Sequence, residues 1–562
     1  MNKKWQFYNT DEEQIKRISN KFNLNELLSE IIANRKIGSD EDIRIFLAPT
    51  RKDFNDPFLF KDMDIAVNRI IKAIDNKENV IIYGDYDVDG ITSTTVLKKF
   101  LEERGLIVDT YIPNRLDEGY GLNKDAIDTI KNKKKTLIIT VDCGISAINE
   151  IEYANSLGIE TIVTDHHEAG EELPNAIAVI DAKRKDNTYP FRGLAGVGVV
   201  FKVIQAISIK LNLEEKEFLK YLDLVCVGTI SDIVPLEKEN RVIAKLGLKL
   251  LEVTKNLGLK ELLKTIGYRK IDSNTISFGI APRINACGRM GHEEDALKLF
   301  LSDDEEEVKQ ITNNLNEYNK LRQETEKKIY DEAIQKIHNE GLDKANSIVV
   351  AGDNWHHGVI GIVSSKVTEL YFKPSILLGF EDDIAKGSGR SVPGFDLHEA
   401  LYECEELLEK YGGHEMAVGL SLKKENFEKF KQKFEEVAKN KHIDEIQPVI
   451  YIDGQITLKD MTKDIVESLE MLEPFGEGNK MPLFLYKNLK IDSIRALTEG
   501  KHLKLTLKDT NYVINAIGFN MGHLVNEYLI GDKVDIVGVL EINNYNGNEM
   551  IQINLKDMMK SI

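Results

Sequence analysis

At 562 residues, 42% hydrophobic and 30% charged, the chain has the make-up of an ordinary globular protein and is too long for one core, so three or four domains are expected. A net charge of −19 argues against a generally adhesive nucleic-acid binder but leaves room for a nuclease, because bound metals and a local Lys/Arg lining can reverse the field inside a cleft. Cys143, Cys226, Cys287 and Cys404 are scattered without a CxxC pair, which argues against a disulfide framework and a thiolate zinc site; with no 18-residue apolar span and no signal peptide, the expected location is the cytoplasm, with no membrane partner.

Residues 1–60 read as a helical segment, with Leu24, Leu27, Leu28, Ile31 and Ile32 at helical spacing. A βα alternation then begins. The pattern predicts strands over Val80–Tyr83, Ile107–Ile112, Thr136–Val141, Glu160–Thr164 and Ala176–Ile180. Helices are predicted near Ser93–Glu103, Lys124–Lys131, Ser146–Leu157, Val199–Leu211 and Glu217–Val227. Such alternation implies a parallel sheet with right-handed crossovers, here over 61–300. Ser302–Gly341 is charged, free of Gly and Pro until its end, and sparse in apolar positions; it reads as a solvated connecting helix over 301–341. Strand-like Ser347–Gly352 and Ser375–Gly379 and a turn-rich loop at Gly387–Gly394 suit a second α/β domain over 342–445. Over 446–562 the pattern changes to short strands: Val449–Ile452, Leu483–Tyr486, Leu503–Leu507, Val513–Gly518, Lys533–Leu540 and Met550–Leu555. With a turn at Asn544-Tyr-Asn546-Gly547, they suggest a small β-barrel of OB-fold type.

The chemistry concentrates after the strands. Tyr83-Gly-Asp85-Tyr-Asp87-Val-Asp89-Gly places three carboxylates just beyond an apolar run, where open α/β sheets bind ligands. Alternating Asp side chains on extended backbone share a face and repel one another, and a divalent metal held by oxygen ligands relieves this; the bland alternative is an Asp-rich surface turn. Val141-Asp142-Cys-Gly144 repeats the strand-then-Asp layout, Asp165-His166-His167 adds two imidazoles, and Asp232 follows another apolar run. Parallel strands place these ends along one edge. Mixed carboxylate and imidazole ligands suit Mn²⁺ best, with Mg²⁺ usable, and two such ions would activate water against a phosphoester.

These motifs resemble the DHH phosphoesterase superfamily. Ile112-Pro-Asn-Arg-Leu-Asp-Glu-Gly-Tyr-Gly-Leu122, Gly228-Thr-Ile-Ser-Asp-Ile-Val-Pro-Leu236 and Ala281-Pro-Arg-Ile-Asn-Ala-Cys-Gly-Arg289 are similar to its branch of single-strand-specific 5′→3′ exonucleases. So are Trp355-His-His-Gly358, Gly387-Ser-Gly-Arg-Ser-Val-Pro-Gly394 and Leu472-Glu-Pro-Phe-Gly-Glu-Gly-Asn479, and the likeness spans roughly residues 50 to 560.

The resemblance implies a parallel-sheet DHH catalytic domain joined by a long helix to a second α/β domain (DHHA1), plus the OB-like barrel. It implies two ions, Mn²⁺ or Mg²⁺, held by Asp87, Asp89, Asp142, His166 and Asp232, with Asp142 bridging and Asp85 supporting. His167 would contact the scissile phosphate and Asp165 would orient an imidazole. Arg115, Ser388 and Arg390 would hold the 5′-phosphate, with His414 in a Gly412-Gly413-His414 turn beside them. Arg283, Asn285 and Arg289 would line the strand's path; Arg322 and Gln323 are weaker candidates. Many relatives carry His where this chain has Tyr83; a Tyr at a strand end is expected to pack, the alternative being that one ion is left short of an imidazole. In the barrel, residues 501–504 and 543–547 are candidate single-strand contacts, with a packing or partner domain as the equal alternative, because residues 451–562 carry 12 Lys/Arg against 16 Asp/Glu, a net −4.

The expected substrate is single-stranded DNA, degraded to 5′-mononucleotides in repair and recombination, with a single-strand-binding protein and a helicase as expected partners. The rivals are a DHH enzyme acting on oligoribonucleotides or cyclic dinucleotides, and a non-catalytic single-strand clamp.

Overall fold

The computed structural model describes residues 3–268, 270–545 and 548–561. Asn546-Gly547 of the expected barrel turn lie outside the described residues, as do Met1 and Asn2. The chain forms two compact units that are not consecutive in sequence: residues 55–232 with 247–448, and residues 1–54 with 233–246 and 449–562.

The first unit is built on a five-stranded parallel sheet. Its strands are β1 (Val80–Gly84), β2 (Val108–Tyr111), β3 (Leu137–Val141), β4 (Glu160–Thr164) and β5 (Ala178–Ile180), in the order β2-β1-β3-β4-β5. β1 and β3 are buried along their whole length, as expected for apolar β-branched runs covered on both faces. The order reverses between β1 and β3, and a crevice opens at such a switch point outside the carboxyl ends of the strands. Helix α1 (Val88–Glu102) begins five residues earlier than the apolar pattern suggested, because Asp87 caps it by accepting from the Gly90 amide at 3.0 Å. Behind the sheet lie α2 (Gly196–Lys210) and α3 (Leu222–Ser231), both buried against α1.

Helix α4 (Ala281–Arg289) leads to the connecting helix α5 (Glu305–Asn339). The expectation of a solvated connector is corrected here. Val308, Ile311, Leu315, Ile329, Ala333 and Ile337 form a buried stripe along α5. The stripe is narrow, so composition understated it; Leu321, by contrast, is 48% exposed.

The second sheet contains β6 (Ile348–Asp353), β7 (Ser375–Glu381), β8 (Ile384–Arg390), β9 (Lys410–His414) and β10 (Ala417–Lys423), ordered β9-β10-β8-β7-β6. Only β6 and β7 run parallel. Helix α6 (His357–Tyr371) packs on β7 and β8. Two expected turns are strands: Gly387-Ser-Gly-Arg390 lies in β8 and Gly412-Gly413-His414 in β9. Gly387 and Gly389 serve close packing rather than chain reversal. A Cβ on Gly389 would fall 2.8 Å from Val418 Cγ2, and one on Gly387 2.8 Å from the Leu377 carbonyl oxygen.

The second unit is a closed barrel of five strands, 484–497, 502–508, 513–518, 548–560 and 533–545, closed by pairing of the first with the last. Helices Glu12–Phe22, Glu26–Asn34 and Asp40–Leu47 share its core. Residues 1–60 are therefore not wholly helical: Lys4–Phe7 is a strand, paired in parallel with Val449–Ile452. Segment 233–246 joins this unit through Arg241, which is fully buried. It stacks on Phe46 and donates to the carbonyls of Leu472 (2.8 Å), Glu473 (3.0 Å) and Pro474 (3.2 Å).

Candidate active site

The carboxyl ends of β1, β3 and β4 bring their acidic and imidazole side chains together. His166 Nε2 lies 3.1 Å from Asp142 Oδ1, 3.6 Å from Asp232 Oδ2 and 3.9 Å from Asp89 Oδ2. Three groups of donors, each within 4.8 Å, emerge: Asp85, Asp87 and Asp142; Asp89, His166 and Asp232; and Asp142, His166 and His167. Asp142 belongs to two of them, the placement a bridging carboxylate needs. Asp85, expected only to support, places its carboxylate among the donors.

Backbone geometry fixes these groups. Asp142 adopts φ +60° at the end of β3, a left-handed conformation that Asp tolerates and that turns its side chain back toward the cluster. Asp89, at the first turn of α1, accepts from the Gly196 amide at 2.6 Å and the Val197 amide at 2.8 Å, so the start of α2 orients it. A Cβ on Gly196 would lie 2.6 Å from Asp142 Oδ1, so only glycine lets α2 approach this closely. Asp165 accepts from the amides of Ile145, His166 and His167 and from His167 Nδ1 at 2.7 Å.

The electrostatics are those of a site short of positive charge. Burial and the neighbouring carboxylates push Asp89 up to about 7 and Asp232 up to about 9, and hold Asp85 and Asp142 well above the usual range. Burial and the charge of His167 push His166 down to about 3. Burial alone would lower His167 as well, but the hydrogen bond and charge of Asp165 outweigh it and hold His167 at about 9. Asp85 Oδ1, Asp142 Oδ1 and His166 Nε2 are buried without a hydrogen-bond partner among the described residues. Orphaned acceptors of this kind, with oxygen and imidazole donors at ligand spacing, fit divalent cations such as Mn²⁺ and Mg²⁺.

Tyr83 does not join them. It is fully buried, stacks on Tyr111 at 5.1 Å and donates to the Gly121 carbonyl at 2.9 Å. It packs, and braces the loop that carries Arg115 and Tyr120.

Facing the carboxylates in the same unit is a group of guanidiniums. Arg289, at the end of α4, donates to the Gly358 carbonyl at 2.8 Å. Burial and the charges of Arg115, Arg322 and Arg390 push it down to about 9. Arg390 donates to Ser388 Oγ at 2.8 Å, and Arg115 stacks on Tyr86 at 4.8 Å. Gly361 on α6 would bring a Cβ 3.2 Å from Arg390 Nη2, so glycine makes room for this side chain. Several cations drawn together against their repulsion suit an anion between them. Arg283 is held by Asn316 and the Gly279 carbonyl, each at 2.7 Å, and Asn285 is half-buried on α4, about one turn before Arg289. His414 is exposed on β9, in register with Ala417 and through it with Arg390, but makes no contact with the guanidiniums among the described interactions. His502–Lys504 begin a barrel strand and Lys501 lies in the turn before it; of the 543–547 stretch, only the Asn543 side chain is described.

Two residues escaped the sequence reading. The Tyr120 hydroxyl lies 3.2 Å from both the Asp142 carbonyl and His167 Nδ1; a tyrosine in a loop gives no signal of this. Asp181 follows β5, is buried, and burial pushes it up to about 7; the strand-then-Asp rule applied to the fifth strand finds it.

Comparison with known proteins places these features in a family context. Residues 79–229 match the DHH family N-terminal domain, residues 344–440 the DHHA1 domain and residues 452–557 the RecJ OB domain. The chain is 40% identical to the single-stranded-DNA-specific exonuclease RecJ of Bacillus subtilis over 560 residues, covering 99% of this chain and 70% of that protein. The crystal structure of Thermus thermophilus RecJ in complex with Mn²⁺ matches with a TM-score of 0.87 at 29% identity, over 100% of this chain and 80% of that one. The Mg²⁺ complex of the same protein matches with a TM-score of 0.80 at 27% identity, over 100% and 79%.

Proposed function

The chain belongs to the RecJ family, and from that membership and its metal-holding geometry we propose that it is a metal-dependent 5′→3′ exonuclease that hydrolyses single-stranded DNA to 5′-mononucleotides. One observation carries the chemistry: orphaned Asp142 and His166 atoms, ringed by Asp85, Asp87, Asp89 and Asp232, lie in the same compact unit as an arginine cluster suited to phosphate.

Asp89, His166 and Asp232 would hold one ion, and Asp85, Asp87 and Asp142 another, with Asp142 shared. When bound, such ions supply Lewis-acid stabilisation of the phosphoryl oxygens and lower the pKa of water. The chain's own residues do the rest. Asp165 keeps His167 protonated and oriented, so that it can donate to an oxygen of the scissile phosphate. Arg115, Ser388 and Arg390 bind the terminal 5′-phosphate, which sets the polarity of digestion; Arg289 adds charge behind them.

The same reading assigns 61–300 to catalysis, 301–341 to connection, 342–445 to substrate binding and 446–562 to the OB-like domain. In the cytoplasm, a helicase and a single-strand-binding protein would present the strand. No helix among the described residues is long and apolar enough to cross a membrane. Cleavage of end-labelled single- and double-stranded DNA with Mn²⁺, Mg²⁺ or EDTA tests the reading. Metal-dependent release of mononucleotides from the 5′ end of single strands is expected; release from the 3′ end, or undiminished cleavage in EDTA, would refute it.

A further inference from the structure

An open cavity of about 500 Å³ lies between the segment preceding α4 and the connecting helix α5, and no metal-site residue lines it. Two aromatic rings stand at it. Phe278, in a π-helical turn over Thr275–Ile280, is 73% exposed, and Tyr268 is 43% exposed. Exposed aromatics gathered at one polar-rimmed hollow mark a binding surface rather than a folding requirement. Between them Gly279 leaves room: a Cβ there would lie 2.9 Å from Tyr268 Cε2. Arg283, at the same cavity, is held in place by Asn316 and the Gly279 carbonyl, so its guanidinium is already oriented before any ligand arrives.

The cavity shares a wall with the arginine cluster. Asn319 lines it and accepts from Arg322 Nη2 at 2.6 Å, and Arg322 is one of the charges that depress Arg289. Arg283 and Arg289 also lie on one helix, six residues and so about 9 Å apart along its axis. A strand whose 5′-phosphate sits among the arginines reaches the cavity within a few nucleotides.

We propose that this cavity is a nucleobase subsite for the strand on the 3′ side of the cleaved end, with Phe278 and Tyr268 stacking on a base, Arg283 taking the adjoining phosphate and Gln323 at its rim. The proposal rests on the exonuclease reading. Stacking tolerates every base, as an enzyme that digests any sequence requires, and rings lining the same cavity as a held guanidinium suit a backbone drawn through one nucleotide at a time.

Phe278→Ala tests it, with Phe278→Trp as the conservative variant; the position is exposed, so neither threatens the core. With a 5′-phosphorylated 20-nucleotide strand, KM should rise about tenfold in the alanine variant and return toward wild type in the tryptophan variant. A stacking-specific readout accompanies this. 2-Aminopurine placed at successive positions from the 5′ end, with Mn²⁺ omitted and EDTA present to prevent cleavage, should be quenched at one position by the unsubstituted protein and bright there with Phe278→Ala. An unchanged KM together with unchanged emission at every position would overturn the subsite while leaving the exonuclease reading intact. Failure of the unsubstituted protein to cleave the strand would overturn that reading instead.

Discussion

His166 Nε2 stands 3.1 Å from Asp142 Oδ1, and neither atom has a hydrogen-bond partner among the described residues. His166 makes its other bond to the Leu194 backbone, which leaves Nε2 presenting a lone pair to a carboxylate oxygen. Two electron-rich atoms this close need a shared cation. Asp142→Asn is the sharpest test, because Asn accepts the φ of +60° that would cost alanine about 1–2 kcal/mol. Turnover should fall about three orders of magnitude, while the metal-free protein melts higher because one repelling charge is gone. A variant that keeps its activity, or that melts lower without metal, would sink the assignment of Asp142.

The same repulsion predicts how metal and pH interact. In the metal-free protein Asp89 titrates near 7 and Asp232 near 9, against about 4 in an unfolded chain. Between those limits the folded state binds more protons than the unfolded state, so these groups lower stability as pH rises from about 4 to 9. A cation binds only their ionised forms and removes the penalty. The melting-temperature gain from Mn²⁺ should therefore grow from pH 6 through 7.5 to 9; a gain that shrinks with pH contradicts the site.

The catalytic sheet was readable because four of its five strands, β1, β3, β4 and β5, are apolar runs followed at once by Asp, and parallel pairing places those ends on one edge. Other features left no local signal. Gly387–Arg390 looks like a turn in sequence and is a strand, since its glycines answer to Leu377, Leu378 and Val418 across the sheet. Lys4–Phe7 is a strand only because Val449–Ile452, remote in sequence, pairs with it. The role of Gly196 beside Asp142 depends on a helix that begins more than fifty residues later, which periodicity does not reveal. The arginines were found through resemblance, and their mutual proximity is a tertiary fact.

Tyr83 occupies a position where many relatives are expected to carry His, yet its hydroxyl is engaged with Gly121 and turned away from the donors. Tyr83→Phe removes one buried hydrogen bond, about 1 kcal/mol, and loosens the loop bearing Arg115 and Tyr120. KM for single strands should rise several-fold, with Mn²⁺ affinity unchanged by titration calorimetry. A weakened Mn²⁺ affinity would show that Tyr83 acts at the ion after all.

Arg390 presents a planar fork anchored on Ser388 Oγ and the Gly389 carbonyl. Lysine cannot reproduce that geometry. Both Arg390→Lys and Arg390→Ala should raise KM for 5′-phosphorylated strands by about 10- to 100-fold and narrow the preference over 5′-hydroxyl strands. Equal losses on both ends would place Arg390 along the strand rather than at its terminus.

Gly196 serves two of the candidate metal donors at once. Its amide donates to Asp89 Oδ2 at 2.6 Å, and the space above its Cα holds the Asp142 carboxylate, whose Oδ1, Cβ and Cγ would lie 2.6–2.8 Å from an added Cβ. Its φ is not in the left-handed range, so alanine brings no backbone strain and even favours the helix; the whole effect is steric. Gly196→Ala must push Asp142 away or lift α2 and lengthen the Asp89 bond. Either displaces a ligand by several tenths of an ångström. Activity should fall at least about 100-fold and the Mn²⁺ needed for half-maximal rate should rise, without a matching loss of helix by circular dichroism. Wild-type metal dependence in this variant would mean that Asp142 has room to move, and that the close approach of α2 is incidental to the site.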